Sequence, residues 1–333
     1  MTDEYTSFDN DLSVLSEKLN LLPKIDALVF DIDGVVLDVR GSFRAVISKT
    51  VQFYFSEILK WPGSALLITP EETQLFKLAG GFNNDWDLTF IVALFYLARA
   101  QQWGSRDLNM LGQEAPALAD FAGRIREEGG GLVVAEELVL GSFSPEERSS
   151  ILELWDRALI QRIFQEFYAG TEYCLRLYGF EPSFVKETGL IKQEKLLLDA
   201  ELVRPWRPKI GVVTGRTREE AEVALEISRL KGLVPSELVI ADEGELPRKP
   251  NPEVLRVLAE RMESSLGIYF GDTPDDLATV ENYRKLTIPS SFISCIIIHR
   301  EGERELYLAR RADILAKNVN DVLIFLRGLK GEE

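Results

Sequence analysis

Histidine is nearly absent from this 333-residue chain, which has His299 alone, and cysteine is limited to Cys174 and Cys295. Multi-histidine and thiolate zinc sites are thereby excluded, as is a disulfide framework, so any bound metal must rest on carboxylates. The two cysteines read as buried, reduced thiols. Basic residues also run short, with 38 Lys+Arg against 54 Asp+Glu and a formal charge of −16. Such a chain repels phosphate backbones and anionic lipid, so neither nucleic acid nor a membrane surface is an expected partner. Long apolar runs are missing too: Phe90 to Ala98 falls far below the ~18 to 20 residues needed to cross a bilayer. The acidic N-terminus lacks a signal-peptide pattern, and a cytoplasmic location is the expectation.

What is present fits a globular enzyme-sized protein. Hydrophobic residues make up 46% and charged residues 28%, which suits neither disorder nor a coiled coil. At about 150 residues per domain, the length predicts two domains.

Ala27-Leu28-Val29-Phe30 is a continuous apolar run that stops at Asp31-Ile32-Asp33-Gly34, the pattern of a buried parallel strand ending in a polar loop. The design recurs at Ile210 to Val213 before Thr214, at Leu238 to Ile240 before Asp242, and at Ile268 to Phe270 before Gly271-Asp272. A fifth run, Cys295 to Ile298, leads into His299. Helical patterns lie between them over Arg218 to Leu230, Pro252 to Met262 and Asp275 to Tyr283. Alternating strands and helices predict an α/β fold with a doubly wound parallel sheet and a site at the carboxyl ends of its strands.

The stretch from Arg40 to Glu201 breaks this rhythm. It reads as helices over Phe43 to Leu59, Trp86 to Trp103, Ala115 to Arg126 and Pro145 to Tyr168, with loops at Gly129 to Gly131 and Gly141 to Pro145. The expected organisation is therefore a core in two pieces, 1–39 and 202–333, around an inserted helical domain at 40–201.

Asp31 and Asp33 place two carboxylates just past a strand. Alone, Asp-x-Asp-Gly is equally an Asx-type turn closed by Gly34. Thr214 can hold a phosphoryl oxygen or start a helix. Lys249, inside Arg248-Lys249-Pro250-Asn251-Pro252, is held by flanking prolines, although a lone lysine also serves as a surface charge. Asp272, Asp275 and Asp276 concentrate negative charge that calls for a cation or hydrogen bonds, with N-capping as the simpler use.

In this order, the four segments resemble the motifs of the haloacid dehalogenase superfamily of phosphotransferases. Phe30 to Asp38 is similar to motif one, Thr214 to motif two, Lys249 with its prolines to motif three, and Gly271-Asp272 through Asp276 to motif four. The inserted helices resemble the cap of that superfamily's subfamily IA, in the phosphoglycolate-phosphatase-like group. The resemblance implies a Rossmann-like three-layer core with a C1-type helical cap, and Mg²⁺-dependent hydrolysis of a small phosphorylated metabolite. Asp31 would be the nucleophile that forms an aspartyl phosphate, and Asp33 the general acid and base. Asp31, the Asp33 backbone carbonyl and Asp272 would hold Mg²⁺, while Thr214 and Lys249 hold phosphoryl oxygens. Asp276, or else Asp275, would orient Lys249 or a metal-bound water. The second carboxylate, Asp33, points to a phosphate ester rather than to carbon–halogen cleavage. A carboxylate is repelled by a phosphate by ~4 kcal/mol per unit-charge pair at about 4 Å and an effective dielectric near 20, so a cation is close to obligatory.

Other residues are open to two uses. Arg216 is either a substrate contact or a surface residue at a helix start. Asp38 suggests a hinge or N-cap at the cap entrance, and His299 a strand-end structural residue rather than an acid or base, since Asp33 already fills that role. In Gly80-Gly81-Phe82-Asn83-Asn84-Asp85-Trp86-Asp87, Asn84 or Asp85 caps the following helix. Four polar residues in succession also suggest a substrate-facing loop, with Asn83, Asn84 and Asp87 bonding a polar leaving group and Trp86 packing on it. The stretch Phe164 to Gly170 reads as an amphipathic helix ended by Gly170, with Phe164 and Phe167 in the core. A sugar phosphomutase shares all four motifs, and a non-catalytic ligand-binding protein is the alternative from another class.

Overall fold

The computed structural model describes residues 4–9, 11–82, 84–113, 116–244 and 246–331. Its chain divides into two compact units, Met1–Asp38 with Lys195–Glu333, and Val39–Glu194. None of the helices among the described residues is long and apolar enough to cross a membrane.

Among the described residues the first unit has ten strands: β1 (Tyr5–Ser7), β2 (Ser13–Leu15), β3 (Ala27–Phe30), β4 (Leu37–Asp38), β5 (Lys195–Leu196), β6 (Ile210–Val213), β7 (Val239–Ile240), β8 (Leu266–Gly271), β9 (Ser291–Ile297) and β10 (Ile314–Ala316). Eight of them form one sheet in the order β1-β2-β10-β9-β8-β3-β6-β7. From β10 to β7 every neighbouring pair is parallel, whereas β1 and β2 join antiparallel. This is the α/β sheet expected from the alternation of strands and helices. Its central strands are buried on both faces, which explains why they are continuous apolar runs instead of alternating ones. The three-residue strands β1, β2 and β10 carry too little pattern to stand out in the sequence.

Register aligns the polar motifs. Phe30 lies opposite both Phe270 and Val212, so the residues just past β3, β8 and β6 come level with one another. The Asp31 N–H continues the ladder by donating to the Phe270 carbonyl at 2.8 Å. Because β3 lies between β8, which follows it by a long return, and β6, its carboxyl end is the topological switch point where ligands bind in open α/β sheets.

The second unit is helical. Its principal helices are Phe43–Phe53, Thr73–Ala79, Asp85–Trp103, Pro116–Glu127, Leu132–Leu140, Pro145–Glu153 and Arg157–Tyr178. The single helix expected over Pro145 to Tyr168 is broken in two, because the Asp156 side chain accepts from Leu159 N at 2.9 Å and starts a new helix. Gly170 does interrupt that second helix, with φ +60° and ψ −166°, but the chain turns helical again as far as Tyr178. A Cβ on Gly170 would meet the Gly189 nitrogen at 2.0 Å, so only glycine fits. Phe164 is buried against Phe43, as expected of a core residue, whereas Phe167, expected beside it in the core, is only half-buried. The Gly129 to Gly131 loop has a specific role: Gly131 N donates to the Gly80 carbonyl at 3.0 Å, bringing two glycine turns into contact.

Candidate active site

Asp31, Thr214, Lys249, Asp272 and Asp276 are all buried, and all belong to the first unit. Lys249 Nζ lies 2.8 Å from Asp31 Oδ2 and 2.7 Å from Asp276 Oδ1, joining the first, third and fourth motifs through one ammonium. The other Asp31 oxygen, Oδ1, accepts from Ile32 N at 2.8 Å. Of the two candidates for orienting Lys249, Asp276 makes the contact.

Asp276 is organised by its own helix start. Thr273 and Asp276 form a capping box at Pro274–Tyr283, and Asp276 Oδ2 accepts from Asp272 N at 3.1 Å, Thr273 N at 2.9 Å and Thr273 Oγ1 at 2.7 Å. Its Oδ1 accepts from Tyr269 OH at 2.7 Å as well as from Lys249. Five donors therefore converge on one carboxylate. Burial opposes its ionisation, but the Lys249 ammonium and these hydrogen bonds prevail and hold its pKa below the usual carboxylate range. Lys249 is treated reciprocally: burial favours the neutral amine, but Asp276 and Asp31 outweigh it and push its pKa well above the ordinary lysine value.

Asp31 behaves in the opposite way. Burial is the main cause, and although Lys249 counters it, the charges of Asp276, Asp33 and Asp272 add to it, so the carboxyl is pushed up to about 8. Carboxylate oxygens of Asp31, Asp272 and Asp276 all lie within 4.8 Å of one another. One lysine does not offset this much negative charge, and a cation fits the cluster. The donors are all oxygen, the set suited to a small, hard divalent ion. Since the Asp276 oxygens already accept five hydrogen bonds, Asp31 and Asp272 are the better ligands of the three.

The surroundings hold Asp272 in place. Tyr307 OH donates to its carbonyl at 2.9 Å, and His299 Nε2 lies 3.5 Å from its Oδ2 while donating to the Gly34 carbonyl at 2.8 Å. His299 is thus the strand-end residue expected, packed against the first-motif loop. Gly271 leaves the room Asp276 needs, since a Cβ there would fall 2.2 Å from Asp276 Cβ.

Arg216 corrects the surface alternative considered for it. It is 1% exposed, and its Nε and a terminal nitrogen donate to Asp33 Oδ1 at 2.9 and 2.7 Å. Its own N–H donates to Thr214 Oγ1 at 3.2 Å. Asp38 is no N-cap: it pairs with Lys195 across β4 and β5, and Ser42 stands at the N-cap of Phe43–Phe53. Asp275 is buried at the start of the Pro274–Tyr283 helix, where its carbonyl accepts from Thr279.

In the helical unit, Asn83 lies outside the described residues. Asn84 caps the Asp85–Trp103 helix by accepting from Trp86 N at 2.8 Å, and Lys77 pairs with Asp85 at 2.7 Å. Trp86 and Asp87 are half-buried on the first turn, and the Asp87 charge reaches Glu136. Tyr269, Tyr307 and Thr273 are site residues that sequence reasoning did not select. Only Thr273 had a visible signal, its capping-box spacing to Asp276.

Residues 25–282 match the family model described as a haloacid dehalogenase-like hydrolase. Among solved structures, phosphatase Tt82 from Thermococcus thioreducens is 28% identical, with 91% of this chain and 99% of that one covered and a TM-score of 0.55. Among curated proteins, the imidazoleglycerol-phosphate dehydratase of Phytophthora nicotianae is 24% identical over 255 residues, 76% of this chain. The chain spans 40% of the length of that relative.

Proposed function

Because the chain belongs to the haloacid dehalogenase-like hydrolases, we propose that it is a Mg²⁺-dependent phosphatase hydrolysing a small phosphomonoester through a phosphorylated Asp31. The observation that carries this reading is Asp31 itself: a buried carboxylate at the end of the central strand, with Lys249 2.8 Å from one oxygen and Asp272 beside it. The likeness to a phosphatase over 91% of the chain agrees with it.

In this reading Asp31 attacks phosphorus in line, and Lys249 and the Thr214 hydroxyl hold the phosphoryl oxygens against the growing charge. Asp33 gives a proton to the departing alkoxide, then takes one from the water that attacks phosphorus and frees Asp31. Asp31, Asp272 and the Asp33 carbonyl would hold Mg²⁺. When bound, the ion neutralises phosphate and carboxylate charge together. Asp276 and Tyr269 keep Lys249 in place.

We assign substrate selection to the inserted helical unit, with Trp86 and Asp87 as candidates for contact with the leaving group; Asn84 already has its carbonyl oxygen engaged in the helix cap. The buried, unpaired thiols Cys174 and Cys295 suit a reducing, cytoplasmic setting.

The test is a phosphate-release screen over small phosphate esters with and without Mg²⁺. Imidazoleglycerol phosphate belongs in it, given the name of the Phytophthora relative. Turnover that disappears in Asp31→Asn supports the reading, and full activity in that variant removes Asp31 from the nucleophile role. Free phosphate as product, in place of an isomerised sugar phosphate, separates hydrolysis from mutase chemistry.

A further inference from the structure

Arg216 has the most demanding environment of any arginine near the site. At 1% exposed it must keep a guanidinium out of water, and a buried charge of this kind requires a close partner. One such partner is Asp33, 183 residues away in sequence, where Nε and a terminal nitrogen converge on the same oxygen, Oδ1. The backbone of Arg216 is fixed as well. Its N–H donates to Thr214 Oγ1 at 3.2 Å and its carbonyl accepts from Asp242 N at 2.8 Å. A rigid second-motif loop thus holds a side chain of the first-motif loop, while Asp33 remains 27% exposed at its side chain.

We propose that Arg216 is a positioning residue for proton transfer, fixing Asp33 through Oδ1 so that Oδ2 is the oxygen that handles the proton. The proposal rests on the phosphatase reading above. In the first half-reaction the Oδ2 proton moves to the ester oxygen as its bond to phosphorus breaks and the bond from Asp31 to phosphorus forms. In the second, water attacks phosphorus, its proton moves to Oδ2, and the bond to Asp31 breaks to release phosphate. An oxygen that already accepts two cationic N–H donors is a poor proton acceptor, which leaves this work to the other. The conformation of Asp33, not contact with substrate, is what Arg216 contributes.

Steady-state and rapid-mixing kinetics with p-nitrophenyl phosphate test this. Its leaving group needs no proton, so the first half-reaction is insensitive to Asp33 while the second still depends on it. Arg216→Met is expected to lower kcat by about 100-fold, within the range for loss of general acid–base catalysis, and to lower KM with it, so that kcat/KM, which reports the first half-reaction, stays nearly unchanged. It should also produce a burst of p-nitrophenol approaching one per site. Arg216→Lys, which keeps one donor, should recover part of kcat and serves as the variant to measure if Arg216→Met does not fold. Adding Arg216→Lys to Asp33→Asn should cost no further activity, because the arginine acts through Asp33. A raised KM at unchanged kcat, or full additivity with Asp33→Asn, would overturn the proposal. Failure of the wild-type protein to release p-nitrophenol or phosphate from any ester would instead remove the phosphatase reading itself.

Discussion

Gly34 and Asp272 compete for one volume: a Cβ on Gly34 would lie 2.1 Å from Asp272 Oδ2, and Gly34 has φ +77°, where side chains are strained. The loop carrying Asp31 and Asp33 therefore approaches the fourth motif more closely than any other residue type would allow. His299, 2.8 Å from the Gly34 carbonyl, borders the same volume, since its Nε2 would lie 3.0 Å from that Cβ.

Gly34→Ala should accordingly displace the Asp272 carboxylate. Mg²⁺ affinity, read by isothermal titration calorimetry, is expected to weaken by about 10- to 100-fold, the range found when the supports of a metal ligand are disturbed. The backbone strain adds a stability loss of about 1 to 3 kcal/mol, visible in urea unfolding. Unchanged affinity would mean that Asp272 is not a ligand.

Lys249 offers a second test, because it is the one cation shared by Asp31 and Asp276 in the contacts described. Lys249→Met keeps the length of the side chain but leaves buried carboxylates without it. In the presence of chelator the expected loss is about 3 to 5 kcal/mol of folding stability, the usual consequence of breaking a buried pair from one side. Urea denaturation in EDTA measures it. A loss below about 1 kcal/mol would show that the carboxylates find water or protons at no great cost.

Magnesium should act on stability as well as turnover. Folding gathers the Asp31, Asp272 and Asp276 oxygens within 4.8 Å, and a cation relieves their repulsion only in the folded state. At about 100 times its dissociation constant, Mg²⁺ should stabilise the protein by about 2.7 kcal/mol and raise Tm in differential scanning calorimetry. Asp272→Asn should remove most of that increment. Ca²⁺, larger and content with looser coordination, should support less turnover.

These predictions use residues that were largely legible before any coordinates. Asp31, Thr214, Lys249 and Asp272 each follow an apolar run or lie in a proline-fixed loop, and parallel register brings strand ends together wherever those runs pair. Arg216 was not legible in the same way. Its role depends on a contact across 183 residues, and nothing in Thr214-Gly215-Arg216 distinguishes a guanidinium directed at Asp33 from one at the surface. Tyr269 was hidden by its setting, because inside an apolar strand a tyrosine looks like core until its hydroxyl is seen 2.7 Å from Asp276. The break at Asp156 was missed because helical periodicity continues on both sides of it, and only the cap to Leu159 marks the restart.

Glu166 gives a pH-dependent prediction in the helical unit. It is fully buried, and its Oε2 accepts from Ser183 N, Phe184 N and Val185 N at 2.9, 2.6 and 2.9 Å, while its Oε1 accepts from Arg162 Nε at 2.7 Å. One ionised side chain thereby anchors the whole turn after the Arg157–Tyr178 helix. Burial works against ionisation, but Arg162 and the three N–H groups outweigh it and lower the pKa from its ordinary 4.5. A depressed folded-state pKa means that the unfolded chain binds the proton more readily. The stabilisation is therefore complete above the unfolded value of about 4.5 and is lost as pH falls through the lower folded value. Glu166→Gln, which replaces an acceptor oxygen by an amide donor facing N–H groups, should cost about 2 to 4 kcal/mol at pH 7. That cost should shrink steadily below pH 4.5, as the wild-type carboxylate is itself protonated. Urea unfolding of both proteins between pH 3 and 7 measures the convergence, and a gap that stays constant across this range would show that Glu166 acts through packing alone.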